Sequence, residues 1–462
     1  MTVRRSAGRS KPGQKHVRPR DDRQHLPPRP RHIIERQFGK KSEDVLPRQC
    51  NDGLRHDYAY QVADIFGKEF QVQHGKSQDT HRIATDGNTI MAYGLIAAGV
   101  RYGSGYPITP WSPIMEILRS ELPKYGGMFI QAEDELAAVS MALGFAYAGH
   151  LSITGSSGPG LSLKMEALSY ATMAEIPLIV INVQRGGPST GLPTSVEQSD
   201  LMQAIYGSHG DCPRVVLAPK NVEDCFYIAL EAGRIAKKYS VPVIILSDQA
   251  ISSRIEAFRE PVLDECLTEP ELDLTPRTES TPPYQLGSIT QHVPPGAKMP
   301  EKYPVVTGLE HDEWGHPSAN PVQHQKMNAR RREKLKMLAD ELQPPTVYGD
   351  ESGEVLLIGW GSTYGPIREA VDRSRAAGRQ MGQVHLRHIH PMPPGIDEIA
   401  ERYQHVFVVE MNDEGLYGCG QLATLLRARY GSAKFQSICK TDGLTFRIRE
   451  ILAGVESGIQ NA

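Results

Sequence analysis

From Gly87 onward the chain alternates short β-branched runs with helical stretches, and no other feature constrains its fold so tightly. Ile176-Pro-Leu-Ile-Val-Ile-Asn-Val183 is apolar at almost every position, the pattern of a strand covered on both faces. Arg214–Ala218 and Val241–Leu246 repeat that composition around a helical stretch at Val222–Lys238. Met128–Ala132 precedes a helix at Glu133–Ala148, Leu151–Thr154 precedes one that reaches Thr172, and Tyr102–Ile108 follows one at Ile90–Ala98. Such alternation predicts βαβ units and a parallel sheet. A second, smaller α/β unit begins at Glu354. Its strands are expected at Val355–Ile358, Gln383–Ile389 and Val406–Val409, and its helices near Ile367–Ala377, Ile396–Arg402 and Gly420–Tyr430. Between the two units, Glu260–Pro304 holds nine prolines and no periodic run, a long irregular connection. A charged helix is expected after it at Lys326–Leu342.

The length of 462 residues suits two or three domains. Lys plus Arg is 51 against 54 Asp plus Glu, a balance that argues against a protein built to neutralise phosphates, so no nucleic-acid partner is expected. No apolar run approaches the roughly 18 residues of a membrane span. The six cysteines are scattered and form no CxxC pair, which argues against a zinc ribbon, an iron–sulfur cluster in this chain and a disulfide framework. A cytoplasmic location is the expectation. Residues 1–32 stand apart, with ten Lys or Arg, two Asp and five Pro. They have too little to bury to offset their ordering entropy, and we read them as a disordered basic segment, a non-native or truncated start.

Several motifs compete for function. Gly359-Trp-Gly361-Ser-Thr-Tyr-Gly365 looks like a dinucleotide fingerprint, but its last glycine comes one residue late and no acid is placed for a ribose. His385, His388 and His390 lack a local carboxylate or thiol, so no metal is expected there. Gly308-Leu-Glu-His-Asp-Glu-Trp-Gly-His316 has a His spacing that fits no zinc motif and reads as an active-site loop. The richest cluster lies between Gly105 and Gly191. Thr109 sits where a strand ends, Glu133-Asp-Glu135 opens a helix, and Arg185 follows the buried strand ahead of a glycine-rich turn. A guanidinium so placed suits bidentate capture of a carboxylate. Taken singly, each has an ordinary structural reading as a cap, a dipole-favoured acid or a salt bridge.

Taken together, Tyr106-Pro-Ile-Thr-Pro110, Glu133-Asp-Glu135, Thr154-Gly-Ser-Ser-Gly-Pro-Gly160 and Asn182-Val-Gln-Arg-Gly-Gly-Pro-Ser-Thr-Gly191 resemble the α subunit of 2-oxoacid:ferredoxin oxidoreductases, the 2-oxoglutarate type most of all. The resemblance runs from about Ile33 to Ala462. It implies a thiamine-diphosphate-fold, pyrimidine-side domain at 81–258, a loop and linker with one helix at 259–345, and a transketolase-C-terminal-like α/β domain at 346–462. Residues 33–80 resemble the tail of a γ-type domain and a linker. The implied activity is oxidative decarboxylation of a 2-oxoacid, with coenzyme A (CoA) as co-substrate and ferredoxin as electron acceptor. Thiamine diphosphate would be shared with a β subunit that holds Mg2+ and a [4Fe–4S] cluster, in an (αβ)2 assembly. Alignment of Gly144 and Gly149 makes Glu135 the acid facing the aminopyrimidine, with Glu133 second. Thr109 and Arg185 are implied to bind substrate, and Tyr106, Pro107, Ile108, Gly158 and Gly160 to line the coenzyme. Trp111 departs from the small hydroxyl residue usual in the family. The alternatives are a pyruvate or other 2-oxoacid enzyme, a non-oxidative thiamine decarboxylase, and a nicotinamide-binding protein.

Overall fold

The computed structural model describes residues 81–268, 282–290, 292–298 and 303–461, all within the unit Thr80–Ala462. The expectations for 1–32 and 33–80 lie outside the described residues. Fourteen strands are described: β1 (Arg82–Asp86), β2 (Tyr102–Gly105), β3 (Met128–Gln131), β4 (Ser152–Ser156), β5 (Leu178–Gln184), β6 (Val215–Leu217), β7 (Pro242–Asp248), β8 (Ile255–Arg259), β9 (Val347–Gly349), β10 (Gly353–Trp360), β11 (Met381–Leu386), β12 (His388–His390), β13 (Tyr403–Glu410) and β14 (Phe435–Cys439). A seven-stranded sheet runs β12-β6-β7-β5-β4-β2-β3 and a five-stranded sheet runs β14-β13-β10-β11-β9. Both are parallel except for one antiparallel edge strand each, β12 and β9. β1 and β8 form a separate antiparallel pair.

The expected β-branched runs form the centre of the first sheet, where β5 lies between β7 and β4 and every residue of β5 is buried. Alternate residues serve opposite faces: Ile179, Ile181 and Val183 enter one core, while Leu178 and Val180 enter the other. That second core continues through Leu356, Ile358, Val406 and Val408 of the smaller sheet, so the two sheets share apolar packing. Close helix approach depends on Gly94 of the helix Gly87–Ala97, where a Cβ would stand 2.6 Å from the Phe226 carbonyl oxygen.

Two expectations change. The strand read as Gln383–Ile389 is two strands: β11 belongs to the smaller sheet, and after Arg387 the chain crosses over so that β12 pairs with β6 of the larger one. A run whose two halves each alternate apolar and polar residues cannot show such a switch. The charged helix starts earlier, at Pro321, behind the N-cap Asn320, and ends at Glu341. It is not a free spacer, because Arg330 and Lys334 reach Glu175 of the first domain as buried ion pairs. Burial pushes the Glu175 carboxyl up, but the two cations more than offset this and leave it below the usual range. Removing one partner of a buried charge cluster strands the others. We therefore expect Glu175→Gln to destabilise the chain by about 3–5 kcal/mol in urea unfolding. A loss under about 1 kcal/mol would show that the two cations rehydrate freely.

Candidate active site

The carboxyl ends of β2, β4 and β5 are neighbours, and that edge of a parallel sheet is where ligands bind. β2 runs out into Tyr106–Thr109, β4 into Ser157-Gly-Pro-Gly160, and β5 into Arg185-Gly-Gly. The helix Glu135–Tyr147 starts against this edge, with Asp134 as N-cap accepting from the Ala137 N–H at 2.7 Å. Glu133 and Asp134 are exposed, whereas Glu135 is 7% exposed. Its neighbour is Gly160, where a Cβ would stand 2.6 Å from Glu135 Oε1 and 1.9 Å from Ser156 Oγ. Only glycine allows the carboxylate and the hydroxyl to meet there. The Ser156 and Ser157 hydroxyls are buried without a hydrogen-bond partner, an arrangement that calls for an explanation and that a polar ring resting on this turn would supply.

Gly158-Pro-Gly160 joins this cradle to a cleft of about 740 Å³ whose walls include Arg185, Glu197, Asp200, Gln203 and Asp413. Arg185 is 6% exposed. Its Nη1 donates to the Thr109 carbonyl at 2.7 Å, and its Nε is buried with no partner. Desolvation pulls its pKa down and the nearby Asp200 partly counters this. Asp200 accepts from Asn182 Nδ2 at 2.8 Å and Glu197 accepts from the Gly187 N–H at 3.1 Å. Burial holds both carboxyls above the usual range.

The residues implied by resemblance fall into two groups. Glu135, Gly158, Gly160 and Arg185 line the cradle and the cleft. Tyr106 and Ile108 are half-buried and Pro107 and Thr109 exposed. Thr109 meets Arg185 through its backbone carbonyl, whereas the sequence drew attention to its hydroxyl. Trp111 is fully buried; its ring lies where a Cβ on Gly155 would come within 2.3 Å, so it fills the core beneath β4. Sequence reasoning missed Lys164, Glu197, Asp200 and Gln198, which carry no local periodic signal.

Other motifs resolve as structure. Gly361, at φ +58°, brings the chain so close to Gln198 that a Cβ would stand 2.4 Å from its Nε2. Gln198 Nε2 donates to the Trp360 carbonyl at 2.8 Å, and the Ser362 N–H donates to Asp248 at 3.1 Å. The fingerprint-like turn is thus occupied by the first domain. The Gly308–His316 run, expected as an active-site loop, lines none of this cleft. His311 is buried, with its ring nitrogens facing the Asp312 carbonyl at 2.7 Å and the Met173 carbonyl at 3.2 Å. His385 is pushed down to about 3 by burial and by Lys220 and Arg387. Among the described residues, no group of three or more His, Cys, Asp or Glu is placed to hold a metal ion, and no helix is long and apolar enough to cross a membrane.

The chain is similar to known proteins in sequence and fold. Residues 93–331 match the family model "Pyruvate flavodoxin/ferredoxin oxidoreductase, thiamine diP-bdg", and residues 353–451 match "Pyruvate:ferredoxin oxidoreductase core domain II". The "2-oxoglutarate oxidoreductase subunit KorA" of Mycobacterium tuberculosis is 40% identical over 439 residues, covering 91% of this chain and 64% of its own length. The "2-oxoglutarate synthase subunit KorA" of Methanothermobacter marburgensis is 35% identical, covering 81% of this chain and 98% of its own. Among solved structures, the 2-oxoglutarate:ferredoxin oxidoreductase from Magnetococcus marinus, with 2-oxoglutarate, coenzyme A and succinyl-CoA bound, superposes with a TM-score of 0.80 at 34% identity over 92% of this chain and 73% of that one. The chain therefore spans about two thirds of the mycobacterial relative. Family models, relatives and fold agree: this chain belongs to the pyruvate flavodoxin/ferredoxin oxidoreductase family of thiamine-binding 2-oxoacid oxidoreductases.

Proposed function

We propose that this chain is the α subunit of a 2-oxoglutarate:ferredoxin oxidoreductase. With a β subunit it converts 2-oxoglutarate and CoA to succinyl-CoA and CO2 and passes two electrons to ferredoxin. The observation that carries this reading is the buried Glu135 carboxylate against Gly160, one glycine-rich turn away from Arg185. A buried carboxylate beside unpartnered hydroxyls fits the aminopyrimidine end of thiamine diphosphate. Bound there, the coenzyme would supply a thiazolium carbon that adds to the 2-oxo carbon and accepts the electrons left as CO2 departs.

Everything else is the work of this chain's own side chains. Glu135 holds the ring nitrogen and shares its proton. The Thr109 carbonyl fixes one arm of Arg185, and the guanidinium so held lines the cleft as a cation for the substrate's carboxylate. We assign 81–258 as the pyrimidine-side domain, 259–345 as the loop and linker, whose helix is tied to the first domain at Glu175, and 346–462 as the transketolase-C-terminal-like domain. As the family resemblance implies, the diphosphate, Mg2+ and the [4Fe–4S] cluster would be held by the β subunit, in an (αβ)2 assembly. Co-expression with the β chain tests the reading: viologen reduction should require CoA and favour 2-oxoglutarate over pyruvate. Equal or greater turnover of pyruvate would overturn the substrate assignment.

Gly160 offers a narrower test. Gly160→Ala places a methyl where the Glu135 carboxylate and Ser156 hydroxyl meet. Overpacking of this kind costs about 1–3 kcal/mol, so coenzyme affinity in the assembled complex should fall by roughly 10- to 100-fold, read by fluorescence titration. Unchanged affinity would place the coenzyme elsewhere.

A further inference from the structure

Lys164 stands between the short helix Gly158–Leu163 and the helix Met165–Met173. Its side chain is fully buried, and its Nζ donates to the Glu135 carbonyl at 3.0 Å. The described structure gives it no salt bridge, and its electrostatic neighbours are Glu135 first and Asp134 second. An ammonium group taken wholly out of water is costly, and a fold that needed only to fill this volume would use Met or Leu. We propose that Lys164 is a positioning residue for Glu135: its buried ammonium pins the first turn of the acid's helix through the Glu135 carbonyl and so fixes where the carboxyl meets the coenzyme ring. The inference rests on the reading of Glu135 as the coenzyme's acid.

The geometry supports a dedicated pairing. Glu135 and Lys164 are both inside, joined through the turn whose Gly160 touches the Glu135 carboxylate. The other charged groups nearby point elsewhere: Asp134 is exposed and engaged as a cap, and Asp200 faces Gly158 and Asn182. Burial also draws the Lys164 amine down to about 8, consistent with a group held in place against its own desolvation.

The test uses the co-expressed αβ complex with Lys164→Met, Lys164→Gln, Glu135→Gln and the double variant Lys164→Met/Glu135→Gln. Thiamine diphosphate affinity, titrated by fluorescence, should fall about tenfold or more in Lys164→Met but change little when that substitution is added to Glu135→Gln. Additive losses would overturn the pairing while leaving Glu135 its role. If Glu135→Gln itself binds coenzyme and turns over normally, the reading of the site fails instead. If neither Lys164 variant assembles while Glu135→Gln does, the ammonium serves the fold alone and the proposal is lost.

Discussion

Arg185→Ala in the assembled complex should lose most of its turnover of 2-oxoacids while the subunits still associate. The side chain is buried at the end of β5, so its removal does not expose a surface that another cation can cover. One arm is spent on the Thr109 carbonyl, and the guanidinium so fixed lines the cleft, a directed cation for an incoming carboxylate. Truncating one partner of a desolvated charge pair costs roughly 2–5 kcal/mol, which corresponds to about 30- to 5,000-fold in kcat/KM. The loss should appear mainly in kcat/KM for the 2-oxoacid, with coenzyme affinity changed far less, because Arg185 reaches the cleft rather than the cradle. Arg185→Lys should recover little, since an ammonium cannot hold the Thr109 carbonyl and a planar carboxylate in the same fork. The measurement is steady-state viologen reduction against 2-oxoglutarate concentration. An Arg185→Ala complex within threefold of the parent would remove the guanidinium from the substrate site.

The sequence was most readable where local chemistry and fold agree. The strands β5 and β7 announce themselves because burial on both faces leaves no polar alternation, and the helix Val222–Tyr239 because an N-cap, early acids and late lysines mark its ends. The acid and the guanidinium of the site were visible as part of ordered motifs, although residue type alone left each with an ordinary alternative. Thr109 was found for its hydroxyl, yet its carbonyl makes the contact to Arg185, and every residue has a carbonyl.

What escaped reading depends on distance along the chain. Gln198 is an unremarkable residue until the Trp360 carbonyl and the Met411 N–H meet its side-chain amide across more than 160 positions. The break between β11 and β12 is invisible because both halves of the run alternate Val, Leu or Ile with polar residues as one strand would, and only pairing with β6 shows where the second begins. Asp200 reads as a helix cap, but its carboxyl is held by Asn182 of β5 and faces Gly158. Lys164 lies in a stretch expected as helix, and nothing local marks its burial. Glycine motifs were ambiguous in both directions: Gly160 makes room for a carboxylate, whereas Gly361 makes room for a neighbouring domain.

Glu135→Gln should be the most damaging conservative change in the chain. The substitution keeps the volume beside Gly160 and Ser156 and leaves the backbone bond to Lys164 in place, so the complex should still fold and assemble. What it removes is the ability to take and share a proton at the ring nitrogen. Positioned proton transfer is worth typically 10²–10⁴ in rate, and the loss of turnover with 2-oxoglutarate, CoA and a viologen acceptor should fall in that range. Glu133→Gln, on an exposed side chain two residues away, should leave turnover within about twofold of the parent, since surface changes away from a site are nearly neutral. The pair separates proximity from chemistry, because both changes delete one negative charge near the same helix start and only one deletes it inside the cradle. Equal losses in the two variants would mean that the charge near the helix matters and the buried carboxyl does not, and the acid would have to be sought among Glu197 and Asp200 across the cleft.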